Sequence, residues 1–130
     1  MIKNLAHVCL SSTDLDETER FYCSTLNLNK AFDFKRERRV VGFYLEVGPG
    51  SYIEVFERAQ VDQSAESPIV HLCLEVDDIQ ETVERLRTNG YEASEPKRGA
   101  DRSWQAWTTD PDGVRIEFHQ YTPESSQTTG

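Results

Sequence analysis

The chain writes one phrase twice. HVCLSSTDLDET (His7–Thr18) and HLCLEVDDIQET (His71–Thr82) agree at six of twelve positions: His7/His71, Cys9/Cys73, Leu10/Leu74, Asp14/Asp78, Glu17/Glu81 and Thr18/Thr82. Agreement at this density reads as an internal duplication. Its period is too long for a solenoid unit, and two copies fill the 130-residue chain. Whatever fold is assigned to one copy must therefore suit the other.

Each copy opens as a strand. Val8 and Leu10 oppose His7 and Cys9, and Leu72, Leu74 and Val76 alternate with His71, Cys73 and Glu75. Each histidine thus shares a face with a cysteine, opposite the aliphatic side. A helix follows. Asp14 or Thr13 caps the first, with an apolar stripe of Leu15, Phe21, Tyr22 and Leu26; Asp78 caps the second, with Ile79, Val83 and Leu86. In both, a Glu stands three residues beyond the Asp, and Gly90 ends the second helix. Three strands complete each copy, at about 29–36, 40–47 and 51–57, then 91–96, 103–109 and 114–121. The expected order is βαβββ, twice, in an α+β class: modules at 3–57 and 69–121, a polar linker at 58–68, and a flexible polar tail at 122–130.

The last strand of each copy holds a second echo, YIEVF (Tyr52–Phe56) and RIEFH (Arg115–His119). Glu54 lies 47 residues after His7, and Glu117 lies 46 after His71. Each carboxylate sits between apolar neighbours and so points away from its strand's aliphatic face. Burying a lone carboxylate is costly. Two His and two Glu converging from four strands remove that cost by holding a divalent metal ion, with zinc, nickel, cobalt, iron and manganese all compatible with N and O donors. Four protein ligands leave two positions of an octahedral ion open for substrate. His119, two residues past Glu117, reads as a residue lining the cleft, and Cys9 and Cys73 as small wall residues.

The remaining composition narrows the partners. A net charge of −9 opposes binding to nucleic acid or to an anionic membrane. No apolar run approaches a membrane span, and MIKNLAHVCL lacks the features of a signal peptide, so a cytoplasmic protein is expected. The three cysteines, Cys9, Cys23 and Cys73, include no close pair and read as reduced thiols.

With the doubled βαβββ pattern, His7, His71, Glu54, Glu117 and the DPDGVRIEF segment in place, residues 3–121 resemble the vicinal oxygen chelate superfamily, which includes glyoxalase I. The resemblance implies a curled eight-stranded mixed sheet around a metal cleft, and a homodimer. The His/Glu/His/Glu set is similar to that of glyoxalase I, lactoylglutathione lyase. It implies a lyase or isomerase that converts the hemithioacetal of a 2-oxoaldehyde and a thiol such as glutathione to a 2-hydroxyacyl thioester through an enediolate. The ion is nickel, cobalt or zinc, with iron or manganese as alternatives. Glu117 or Glu54 acts as the base, and the resemblance favours Glu117. Tyr52, Phe56, Arg58 and Trp104 are the expected substrate-binding residues; Lys97, Arg98 and Arg102 are further cations available to an anionic substrate, and Trp107 a further aromatic. One departure stands out: where bacterial glyoxalase I members carry an arginine that helps hold the glutathione carboxylate, this chain has Ser11. Epimerases or ring-cleaving dioxygenases of the superfamily, and its metal-free small-molecule binders, are the competing readings.

Overall fold

Both copies of the repeat fold as βαβββ in a computed structural model that describes residues 1–63 and 66–130. The chain divides into two units, Met1–Ala65 and Glu66–Gly130. In the first unit, β1 (His7–Ser12) leads into α1 (Leu15–Glu19), which widens into a π-helical turn (Arg20–Thr25). Then come β2 (Asn29–Arg36), β3 (Arg39–Gly48) and β4 (Ser51–Glu57). The second unit holds β5 (Leu72–Glu75), α2 (Ile79–Thr88), β6 (Lys97–Arg98), β7 (Trp104–Thr109), β8 (Arg115–Gln120) and a terminal turn of helix, α3 (Ser126–Thr129).

The helix starts follow from their caps. The Asp14 carboxylate accepts from the Glu17 amide at 3.2 Å and the Asp78 carboxylate from the Glu81 amide at 3.1 Å, each satisfying an orphan first-turn donor. The ends follow from left-handed residues, Asn27 at φ 63° and Gly90 at φ 89°, conformations that Asn tolerates and Gly adopts freely. Of the predicted stripes, Phe21, Tyr22, Val83 and Leu86 are fully buried and Ile79 is buried, while Leu15 and Leu26 are half-buried. Phe43, Leu45, Ile53 and Val55 in the first unit, and Ala106, Ile116 and Phe118 in the second, are core residues too.

Each sheet has the same order, β1-β4-β3-β2 and β5-β8-β7-β6. First and last strands of a unit pair in parallel, with Cys9 opposite Glu54 and Cys73 opposite Glu117; the remaining pairs are antiparallel. Eight strands, as expected, are found among the described residues as two four-stranded sheets. Each last strand returns to its own first strand, which leaves β1 and β2, and β5 and β6, as sheet edges; neither sheet closes on itself.

Two expectations are corrected. Residues 91–96 do not form a strand. Only an isolated bridge, Ala93 to Thr108, survives there, and the strand moves to Lys97–Arg98. Pro96 has no amide hydrogen and bars a regular ladder; the Ser94 hydroxyl substitutes by accepting from the Trp107 amide at 2.9 Å. The tail is also ordered by contacts. The buried Ser125 hydroxyl bonds that of Ser103 at 2.8 Å, and the Gln127 amide donates to the Asp101 carboxylate at 2.6 Å. The linker at 58–68 has no helix or strand among its described residues; positions 64 and 65 lie outside them.

Asp101 makes the tail sensitive to acid. The Ser103 amide, and then the Gln127 side chain, hold its carboxyl below the usual carboxylate range. A lowered folded pKa means its contribution is present above the unfolded value of about 3.9 and is lost as pH falls through the folded one. Amide protection at Thr128 and Thr129 is therefore expected at neutral pH and lost in acid well below pH 4. Asp101→Asn should reduce it already at neutral pH, as read by hydrogen exchange.

Gly42 carries a second prediction. A Cβ there would stand 2.8 Å from a ring carbon of Phe56 and collide with the Val55 carbonyl. Gly42→Ala is expected to destabilise the chain by about 1–3 kcal/mol, measured by urea unfolding.

Candidate metal centre

Strand alternation decides which side chains meet. In the first unit, His7 and Cys9 of β1 share a face with Tyr52, Glu54 and Phe56 of β4 and with Tyr44 of β3, the ladder partner of Glu54. His7 Nε2 lies 3.8 Å from Glu54 Oε1. On its other side, His7 Nδ1 is 2.8 Å from the Tyr44 hydroxyl. With Nδ1–H donating to the Tyr44 oxygen, the Nε2 lone pair is left on the Glu54 side, the arrangement a metal-ligating histidine needs. Aromatic rings frame this face. Phe32 stacks on Tyr44 at 5.0 Å, Phe34 on Phe56 at 4.7 Å, and Tyr52 lies against Tyr44 at 5.0 Å.

The second unit repeats the plan. His71, just ahead of β5, places Nε2 3.5 Å from Glu117 Oε1. Trp107 is the ladder partner of Glu117, as Tyr44 is of Glu54, and it meets the His71 ring edge-on at 4.7 Å. Glu117 is 8% exposed. Its near neighbours include Cys73, whose thiol hydrogen-bonds it; partial burial first, and then Glu117, push that thiol up to about 12. In the first unit burial and Glu54 likewise raise Cys9. His119 Nε2 is 3.1 Å from Glu117 Oε1, and His119 Nδ1 is 3.7 Å from Asp101 Oδ2.

The structure therefore brings His7 beside Glu54 and His71 beside Glu117. Tyr52 and Phe56 lie on the His7 face. Arg58 is exposed just past β4 and donates to the Glu57 carbonyl at 3.0 Å. Trp104 does not join Glu117: it alternates with Gln105 and Trp107 and so shares the opposite face with Ala106 and Phe118. There Arg98 covers it at 5.4 Å, and Arg98 also pairs with Glu124 at 3.6 Å. Arg102 occupies a left-handed turn position, φ 69°. Sequence reasoning missed Tyr44 as the partner of His7 because no local signal gives the β3–β4 register. It reads His119 and Cys73 as lining the cleft, where the structure groups both with Glu117.

The sequence profile of the Glyoxalase/Bleomycin resistance protein/Dioxygenase superfamily matches residues 4–118. The chain belongs to this superfamily. Among solved structures, it resembles a fosfomycin resistance protein, FosX, from Listeria monocytogenes (22% identity, TM-score 0.73, covering 97% of this chain and 99% of that one). It also resembles an antibiotic-binding protein, TnmS3, from Streptomyces sp. CB03234 (20%, 0.73, 93% and 98%) and a lactoylglutathione lyase from Agrobacterium tumefaciens (20%, 0.67, 92% and 94%). At these identities the likeness concerns the superfamily fold. No curated protein sequence matches the chain. No helix among the described residues is long and apolar enough to cross a membrane.

Proposed function

We propose that the chain is a metal-dependent lyase or isomerase of the glyoxalase I type, with His7, Glu54, His71 and Glu117 as its ligand set. The carrying observation is the twice-built His–Glu pair, 3.8 Å apart in one unit and 3.5 Å in the other. The donors suit the ion: imidazole nitrogens facing carboxylate oxygens favour nickel, cobalt or zinc. A carboxylate as buried as Glu117, with no lysine or arginine paired to it among the described residues, is in keeping with a cation at that position.

When bound, the ion supplies Lewis-acid polarisation of a substrate carbonyl and stabilises charge developing on its oxygen. The chain's own residues do the rest. Glu117 takes the proton from the carbon beside the carbonyl and returns it to the neighbouring carbon. Tyr44 holds the His7 ring, and Trp107 borders His71. The substrate is a small molecule, a hemithioacetal of a 2-oxoaldehyde, and the working form is a cytoplasmic homodimer.

The test combines metal analysis with turnover. The purified chain should bind one nickel or cobalt per ligand set and convert the methylglyoxal–glutathione hemithioacetal to S-lactoylglutathione. Metal binding without that turnover would move the reading to another substrate, a possibility favoured by Ser11. No metal binding at all would favour a small-molecule binder.

A further inference from the structure

The two units carry the same four-position lattice, two residues at or just ahead of the first strand beside two from the last. In the first unit the positions are His7, Cys9, Glu54 and Phe56; in the second they are His71, Cys73, Glu117 and His119. One position differs in its capacity to bind metal, Phe56 against His119. That exchange gives the second unit a fourth donor where the first has three. Cys73 Sγ, a Glu117 carboxylate oxygen and a His119 ring nitrogen all lie within 4.8 Å of one another. His119 is 8% exposed, and its Nε2 has no hydrogen-bond partner among the described residues. It stands 3.1 Å from Glu117 Oε1 without the alignment of a hydrogen bond. A buried, unbonded ring nitrogen beside a carboxylate and a thiol is what an ion would satisfy. Asp101 lies 3.7 Å from the far nitrogen of the same ring, in the place of an outer-sphere carboxylate that orients a ligating histidine.

We propose that the second unit contains an alternative, overlapping site for a soft divalent ion of the zinc or cadmium class, made by Cys73, Glu117 and His119. A sulfur donor selects for such ions against magnesium, calcium or manganese. The proposal rests on the reading above in one respect: Glu117 belongs to both donor sets. Occupation by a soft ion therefore withdraws Glu117 from the ligand set proposed for turnover, and the two loadings exclude each other. The first unit has no counterpart of the buried His119 ring, because Phe56 offers no donor.

The experiment is a cadmium titration of the full chain, followed by ultraviolet absorption of the cadmium–thiolate bond. Wild type should develop the band and saturate at one cadmium per chain. Cys73→Ser, a near-isosteric change at an exposed side chain, should lose the band, and His119→Phe should weaken cadmium binding by about tenfold or more. Circular dichroism controls for folding. His7→Ala should keep the band, and cadmium added to nickel-loaded protein should release nickel. Absence of the band in wild type, or its persistence in Cys73→Ser, overturns the proposal. Nickel binding that depends on His7, with no cadmium–thiolate band, would sink this site and leave the proposed function standing. A cadmium–thiolate band in a chain that binds no nickel would do the reverse.

Discussion

Glu117→Gln is expected to lower nickel-supported formation of S-lactoylglutathione by about 10²–10⁴-fold at saturating metal, the range spanned by a positioned proton-transfer group. The substitution keeps the volume and removes both the negative charge and the base. Glu54→Gln makes the same chemical change at the equivalent position, so the pair is an internal comparison. The environments differ: the side chain of Glu117 is 10% exposed and that of Glu54 19%. Glu117 also has two imidazoles within 3.5 Å, whereas Glu54 has His7 at 3.8 Å. The less exposed carboxylate is the better shielded from water during proton transfer from carbon. Glu54→Gln should therefore act mainly through metal affinity and recover much of its rate when nickel is raised. Glu117→Gln should not. Steady-state kinetics over a nickel series separates the two, and equal recovery by both variants would remove the distinction between ligand and base.

Phe21→Ala is expected to cost about 3–5 kcal/mol, the range for emptying an aromatic site in a packed core. Phe21 is fully buried in the π-helical turn, edge-on to Tyr22 at 4.8 Å, in a unit small enough that one ring is a large share of its core. Against a typical total of about 5–15 kcal/mol this is a major loss, and the melting temperature should drop by on the order of 10 °C or more. Phe32→Ala supplies the contrast. Phe32 is 48% exposed, so its removal should change stability by only about 1 kcal/mol or less. Calorimetry on both variants checks the pair. Equal, small shifts would mean that the turn refills around the missing ring.

What the sequence disclosed follows the range of its signals. Alternation is local, so the faces of His7, Glu54, His71 and Glu117 were readable, as were the Asp14 and Asp78 caps. Register between strands is not local. Trp104 and Trp107 are three residues apart on one strand and necessarily point oppositely, but only the pairing of Trp107 with Glu117 says which one joins the site. Pro96 was in view, yet 91–96 read as a strand because its cost depends on whether a neighbour needs that amide. The tail looked disordered because Ser, Thr and Gln carry no hydrophobic pattern; its order comes from hydrogen bonds to Asp101 and Ser103, distant in sequence.

The parallel pairing of first and last strands has a consequence for recognising kindred chains. His and Glu are neighbours because a ladder joins their strands, whatever the length of chain between them. The separations of 47 and 46 residues already differ by one within this single molecule, while Cys9 opposite Glu54 and Cys73 opposite Glu117 keep the same register. Hairpins such as the Glu37–Arg38 turn can lengthen or shrink without moving either donor. A fixed-spacing motif would therefore overlook relatives whose loops have drifted, whereas the cross-strand partnership would still find them.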